Sequence, residues 1–222
     1  MVLTGLLLGL ILAGSIWAWE RINDPQTLPF REIRVSGQFR HLQANKIRQT
    51  LWPQIHAGFF ALKLKPLKQS LMVNPWVQDV GIRRIPGVLW VTVREQQPVA
   101  RWNDHYLINS DDQLFLTPPD AQEELPVLQG PEDSQALVLS NYKQINALFK
   151  PLDLQVQRLT LDQSRSWELL LSNGIRVTVG SDDVLPRIQR LAHWYPKIVN
   201  DKVSPVTHLD LRYSNSIAVE SN

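Results

Sequence analysis

The chain contains no cysteine among its 222 residues. This absence excludes disulfide bonds, thiolate nucleophiles and cysteine-ligated zinc, and it is compatible with an oxidising compartment, where a stray thiol is a liability. A strong excess of one charge is also missing, because 23 basic side chains are scattered among 21 acidic ones. Nucleic-acid-binding proteins usually concentrate lysine and arginine on one stripe, so we expect no nucleic acid as a partner.

The motifs of the common catalytic and metal sites are absent as well. HExxH, GxSxG, Walker A and GxGxxG do not occur, and the five histidines have no partner at metal-ligand spacing. Adjacent acids at 182–183 stand where a helix is predicted to begin, a place where aspartate satisfies free N–H groups. We therefore expect no enzyme activity, no cofactor, no metal and no small-molecule substrate.

Residues 2–19 form an uncharged stretch that ends on Trp17 and Trp19. As a helix, 18 residues span about 27 Å, close to the hydrocarbon thickness of a bilayer, and tryptophan favours the membrane interface. No basic residue precedes the stretch, which speaks against a cleaved signal peptide, and its glycines and lack of a polar face speak against a buried core helix. The pattern predicts a transmembrane helix over 1–20, with the bulk of the chain outside the cytoplasm, and a linker over 21–29.

A first globular unit is predicted over 30–98. A short strand ends at Gly37, and two helical patterns follow, the second of them stopped by Asn74-Pro75. Two alternating strands then meet at the turn dipeptide Pro86-Gly87. The predicted order is β-α-α-β-β, with both helices on one face of a three-stranded sheet.

A second unit is predicted over 99–222. Its order is a hairpin within 105–116, a proline-rich connection, a helix over 134–152, three strands, a helix over 181–198 and a final strand. Asn173-Gly174 predicts a type I′ turn between the second and third of the three strands. The fold class is therefore α+β, and this unit is expected to be a mostly antiparallel sheet with flanking helices.

The segment 208–219, "HLDLRYSNSIAV", reads as one half-buried strand. Its odd positions are mostly apolar and its even positions are mostly polar or small, which is the period of a β-strand. Chain ends usually fray unless they are tied down, so a strand here needs a neighbour.

Several motifs together resemble a known family. Gly-Phe-Phe at 58–60, Pro-Trp-Val at 75–77 and the run "VTVREQQPVA" at 91–100 are typical of a POTRA domain. With the N-terminal apolar stretch, "RSWELLL" at 165–171, "WYP" at 194–196 and "LDLRY" at 209–213, the chain resembles the FtsQ/DivIB family of bacterial cell-division proteins over essentially its whole length.

The resemblance implies a non-enzymatic scaffold of the division machinery. Family members are single-pass type II proteins of the inner membrane, with the POTRA and β domains in the periplasm at the division septum. The implied partners are FtsB and FtsL, and the implied role is to link early and late division proteins. The alternative is a POTRA-containing polypeptide-transport or chaperone factor of the envelope, which further POTRA repeats would favour.

The resemblance also implies a binding site for FtsB, which in the family adds a strand to the last strand of the sheet. The corresponding residues are Arg165, expected to pair with an acidic group, and Tyr213, Ser214, Asn215, Ser216 and Ile217. The family commonly has a glycine two or three residues after the tyrosine, whereas this chain has Asn215-Ser216.

Overall fold

The structure is a computed structural model that describes residues 2–23, 26–200, 204–214 and 216–221. Contacts divide it into two compact units, Met1–Gln96 and Gln97–Asn222. The chain begins with helix α1 (Val2–Asn23), which confirms the helical character predicted for 1–20. Within the described residues, however, no helix combines the length and the hydrophobicity needed to span a membrane, so the predicted transmembrane span is not shown.

The first unit has the predicted β-α-α-β-β order. Its elements are β1 (Glu32–Ser36), α2 (Ala44–Leu51), a 3-10 helix (Trp52–Ala57), α3 (Leu64–Met72), β2 (Val77–Ile85) and β3 (Val88–Glu95). The sheet order is β1-β3-β2, with β1 parallel and β2 antiparallel to β3. Along β3 every second residue from Leu89 onward is buried, so one face of the sheet lies in the core, as do Leu51 of α2 and Leu67 of α3.

Glu95, the last residue of β3, has a buried carboxylate. Its oxygens accept hydrogen bonds from the backbone N–H groups of Arg40, His41 and Leu42 at 2.8–3.2 Å, and His41 Nδ1 lies 2.9 Å from Oε1. The His41 ring stacks on Trp76 at 3.7 Å between centroids. These contacts fasten the loop before α2 to the end of the sheet, because a buried carboxylate must have its acceptor positions filled.

The second unit is built on one nine-stranded sheet. Its elements are β4 (Pro98–Trp102), β5 (Tyr106–Asn109), β6 (Leu114–Leu116), β7 (Val127–Gln129), α4 (Gln135–Phe149), a 3-10 helix (Lys150–Leu152), β8 (Val156–Leu161), β9 (Trp167–Leu171), β10 (Arg176–Gly180), α5 (Val184–Asn200), β11 (Val206–Asp210) and β12 (Ala218–Ser221). The strand order is β12-β11-β10-β9-β8-β7-β4-β5-β6. Mixed α+β structure with a β-sheet domain is thus confirmed.

Antiparallel pairs predominate in this sheet, as predicted, but three pairs are parallel: β10–β11, β7–β8 and β4–β7. The first two arise because α5 and α4 serve as crossover connections between neighbouring strands. The two helices contact each other, and Phe149 of α4 and Tyr195 of α5 meet edge to face at 6.4 Å. They therefore cover the same face of the sheet and enclose the main core there.

The turn between β9 and β10 differs from the predicted type I′ turn. Such a turn needs positive φ at both central residues, and of Asn173 and Gly174 only Gly174 has one, at 86°. Leu171 N–H donates to the carbonyl of Ile175, and Gly174 N–H donates to that of Leu171. The predicted hairpin is confirmed, but its loop consists of three residues, 172–174, and ends in a glycine with a left-handed backbone.

Candidate partner-binding site

The segment 208–219 is a hairpin, and the prediction of one continuous strand is wrong. β11 ends at Asp210 and β12 begins at Ala218, and the two strands pair antiparallel with Leu209 opposite Val219 and Asp210 opposite Ala218. From His208 onward the paired residues are separated by an even number of positions, so the chain keeps its odd-even alternation through the reversal. Ile217 and Val219 pack against the same core as Leu209, which is why the sequence alternates without a break.

The turn between β11 and β12 contains most of the predicted binding residues. Tyr213 is 56% exposed, Ser214 and Ser216 are exposed, and Ile217 is half-buried against the core. Asn215 lies outside the described residues. The turn therefore presents an aromatic ring and two hydroxyl groups to solvent, while Ile217 ties its far end to the domain.

The side chain of Arg190, on α5, donates hydrogen bonds to the backbone of this turn. Its Nη2 donates hydrogen bonds to the carbonyls of Tyr213 at 2.9 Å and Leu211 at 3.4 Å, and its Nη1 donates to the carbonyl of Ser214. One guanidinium thus satisfies three backbone acceptors that the end of a strand leaves without a ladder partner. The backbone that carries the Tyr213 ring is fixed by a helix and not by the sheet alone.

Asp210 and Arg212 form a second constraint at the end of β11. The guanidinium donates to the carboxylate at 2.7–3.0 Å in a bidentate arrangement, and the backbone N–H of Arg212 also donates to Asp210. The Arg212 hydrogen bond lowers the pKa of Asp210 below its ordinary range. The carboxylate therefore stays ionised, and the pair orients the backbone immediately before Tyr213.

Gly180 lies beneath Arg212 at the end of β10. Its φ is +91°, and a Cβ at this position would stand 2.9 Å from Arg187 Nη1 and 3.2 Å from Arg212 Cγ. Arg187 in turn donates to the carbonyl of Val179 at 2.8 Å. A side chain on residue 180 would disturb both arginines, so the close packing of this corner depends on glycine.

Arg165 lies in the turn between β8 and β9. Its φ of 64° is left-handed, which is uncommon for a residue other than glycine, asparagine or aspartate. Asp162 shapes this turn, since its carbonyl accepts from Arg165 N–H and its side chain accepts from Ser166 N–H. The two hydrogen bonds to Asp162 hold this exposed turn in a sparsely populated backbone conformation.

The sheet brings Arg165 and Tyr213 to the same end of the domain. Trp167, at the start of β9, is opposite Gly180 at the end of β10, and β11 runs parallel to β10. With strands about 4.8 Å apart, the two turns are separated by three strand spacings, or about 14 Å. Two residues 48 positions apart in the sequence thus lie at the same end of the sheet.

β12 forms one edge of the nine-stranded sheet, and no strand of the described part of the chain lies on its outer side. His208 Nδ1 on β11 lies 3.3 Å from Glu220 Oε2 on β12. His208 Nε2 lies 3.0 Å from Thr178 Oγ1 on β10. An edge strand exposes unpaired N–H and C=O groups to any extended chain that approaches it. This edge begins directly after the Tyr213 turn.

Nothing in this region resembles a metal centre. Across the residues that the structure describes, no three histidine, aspartate or glutamate side chains are grouped as metal ligands would be. The chemistry available at the sheet end is backbone pairing, charge pairing by arginine and apolar contact by tyrosine. Those are the means by which one protein binds another.

Comparison with known protein families covers both units. Residues 28–96 match the "POTRA domain, FtsQ-type", and residues 100–212 match "Cell division protein FtsQ/DivIB, C-terminal". The chain belongs to the FtsQ/DivIB family of cell division proteins. The resemblance seen in the sequence motifs is thereby confirmed.

Individual relatives agree with the family assignment. The chain is 35% identical over 212 residues to "Cell division protein FtsQ" of Coxiella burnetii, covering 95% of this chain and 86% of the relative. It is 39% identical over 194 residues to the protein of that name from Xanthomonas campestris pv. campestris, covering 86% of this chain and 69% of the relative. For the Burkholderia pseudomallei protein of that name the identity is 32% over 222 residues, covering 97% and 87%.

Sequence reasoning missed Arg190 and Gly180 as parts of this site. Arg190 falls on the polar side of an amphipathic helix, where arginine usually faces water, and nothing local indicates a turn 23 residues downstream. Gly180 is the last residue of an alternating strand, and a glycine there suggests only that the strand ends. Their roles depend on contacts between elements that are distant in the sequence.

Proposed function

We propose that this protein is a non-enzymatic scaffold of the cell-division machinery and that its second unit binds FtsB, together with FtsL, at the β12 edge of the sheet. Through these partners it links early and late division proteins at the septum. The observation that carries the proposal is the open outer edge of β12 beside the exposed turn with Tyr213. A partner segment adds one more strand there by β-augmentation.

The side chains around this edge supply selectivity. Backbone pairing alone accepts almost any extended segment, so a specific partner needs side-chain contacts as well. Tyr213 offers an aromatic surface, and Arg165 offers a guanidinium for a carboxylate of the partner. Exposed Ser214 and Ser216 and half-buried Ile217 border the segment, and Asn215 completes the predicted set.

The test is co-purification of FtsB with the full chain. Tyr213→Ala and Arg165→Glu are expected to abolish recovery of FtsB while the circular-dichroism spectrum stays unchanged. Two control variants match these changes elsewhere on the domain: Tyr106→Ala on β5, where the tyrosine is 41% exposed, and Lys143→Glu on α4. Undiminished FtsB recovery with both site variants would overturn this assignment, as would an equal loss with the controls.

The proposal includes attachment to the inner membrane by residues 1–20, with the rest of the chain in the periplasm. Its support is the uncharged sequence over 2–19. Because the chain has no cysteine, Ser140→Cys on the exposed side of α4 introduces a single thiol. We expect a membrane-impermeant maleimide to label this thiol in spheroplasts without lysis. Labelling only after lysis would exclude the periplasmic location.

A further inference from the structure

The first unit has an open sheet edge of its own. β1 is the terminal strand of the three-stranded sheet, and within the described residues no strand lies on its outer side. A groove of about 470 Å³ runs along this edge, between β1 and the α2 side of the unit. The groove combines backbone groups that can pair with an extended chain and side chains that can select one.

The charge lining this groove is mostly positive. Arg31, Arg34 and Arg48 line it, and Glu32 is the single carboxylate among its lining residues. Arg34 Nε donates to Glu32 Oε1 at 2.9 Å, so one of the three guanidiniums is already paired. Two positive charges remain in excess, and they favour an acidic ligand.

Two tryptophans complete the groove. Trp52 is 47% exposed and Trp90 is 36% exposed, and both line the groove with the arginines. Trp90 stands opposite Arg34 in the middle of the register of β1 and β3, so the groove includes a tryptophan and an arginine on neighbouring strands. Tryptophan and arginine are the residue types most enriched at the energetic centres of protein interfaces.

We propose that this groove is a second binding surface, which takes an extended acidic segment of another protein as an added strand beside β1. Carboxylates of the segment pair with Arg31 and Arg48, the two guanidiniums that Glu32 does not neutralise, and an apolar or aromatic side chain packs on Trp52 and Trp90. The surface is separate from the β12 edge, and the proposal does not depend on FtsB binding there. The competing interpretation is that charges on β1 only prevent unwanted edge pairing, and it predicts no preference for an acidic segment.

The probe is a fluorescein-labelled peptide, Glu-Val-Glu-Trp-Glu-Val-Glu, with amidated C-terminus, titrated with the purified full chain by fluorescence anisotropy. The matched peptide replaces each glutamate with lysine. We expect the acidic peptide to bind at least about tenfold more tightly. The double variant Arg31→Glu/Arg48→Glu is expected to weaken acidic-peptide binding by about tenfold or more, and Trp52→Ala is expected to weaken it without changing the charge.

The control variant is Lys63→Glu/Lys65→Glu, which reverses two exposed charges at the start of α3 that do not line the groove. It should leave peptide binding within about twofold of the original, since exposed distant charges are screened by salt. Equal binding of both peptides, or an equal loss with the control, overturns the proposal. The proposal is also overturned if Arg31→Glu/Arg48→Glu changes only the binding of phosphatidylglycerol vesicles, because the groove is then a lipid surface.

Discussion

The guanidinium of Arg190 donates a hydrogen bond to the backbone carbonyl of Tyr213 at 2.9 Å, and this contact joins helix α5 to the turn that follows β11. The Tyr213 side chain itself remains exposed. Arg190 therefore acts on any partner indirectly, by fixing the backbone from which the tyrosine projects. A loop that is ordered before binding loses less conformational entropy when the partner arrives.

Arg190→Ala is expected to weaken FtsB binding by about tenfold while it destabilises the domain by only about 1–2 kcal/mol, because the freed carbonyls can turn to water. Amide hydrogen exchange over 211–214 should accelerate in the same variant. Lys197→Ala, on the same helix but packed near Trp194, serves as the control. Unchanged exchange over 211–214 would show that Arg190 does not order the turn.

The Arg165→Gly variant is expected to lose FtsB binding without losing stability. Relief of the left-handed backbone favours the variant by about 1–2 kcal/mol, and the greater freedom of glycine in the unfolded chain opposes it by about 0.5–1 kcal/mol. We therefore expect urea unfolding to show equal stability or a gain of up to about 1.5 kcal/mol, with FtsB binding lost. A less stable variant that still binds would contradict both parts.

Glu95→Gln tests the buried carboxylate of the first unit. Burial raises the pKa of Glu95, but hydrogen bonds from His41, Leu42 and Arg40 together outweigh it and hold the pKa below its ordinary value of 4.5. The ionised form therefore stabilises the fold above pH 4.5, and this contribution is lost as the pH falls through the lowered value.

The glutamine variant should lose about 1–3 kcal/mol at neutral pH, because an amide cannot accept hydrogen bonds at both ends. Its stability should also depend less on pH below 4.5 than that of the original chain. Urea titrations at several pH values measure both effects. Parallel stability curves for the two proteins below pH 4.5 would rule out Glu95 as a source of the acid sensitivity.

Gly180→Ala is expected to destabilise the second unit by about 1–3 kcal/mol, since a Cβ at φ +91° is strained and presses on Arg187 and Arg212. FtsB binding should fall with it, because Arg212 moves beside the Tyr213 turn. Gly81→Ala is the matched control: its φ is not in the left-handed region, and its nearest contact would be Thr92 Cβ at 3.9 Å. Thermal unfolding of the two variants should differ clearly in midpoint.

Most helices and strands could be predicted because each carries its own periodic pattern. β3 alternates in burial as it does in hydrophobicity, and α4 forms where the helical spacing predicted it. β7 was missed because three residues, Val127–Gln129, are too few to show a period. The parallel pairs were missed for another reason: strand order is decided by where α4 and α5 return the chain, and local pattern does not contain that information.

The candidate site was also predictable only in part from the sequence. The sequence by itself determined that Leu209, Leu211, Ile217 and Val219 share one face and that the motif residues Arg165 and Tyr213 are present. Only the tertiary structure decided that the chain reverses between Asp210 and Ala218, because a hairpin whose partners are an even number of positions apart has the same alternation as a straight strand. Long-range packing also placed Arg190 beneath the turn and brought Arg165 to the same sheet end, since those contacts join residues that are far apart in the chain.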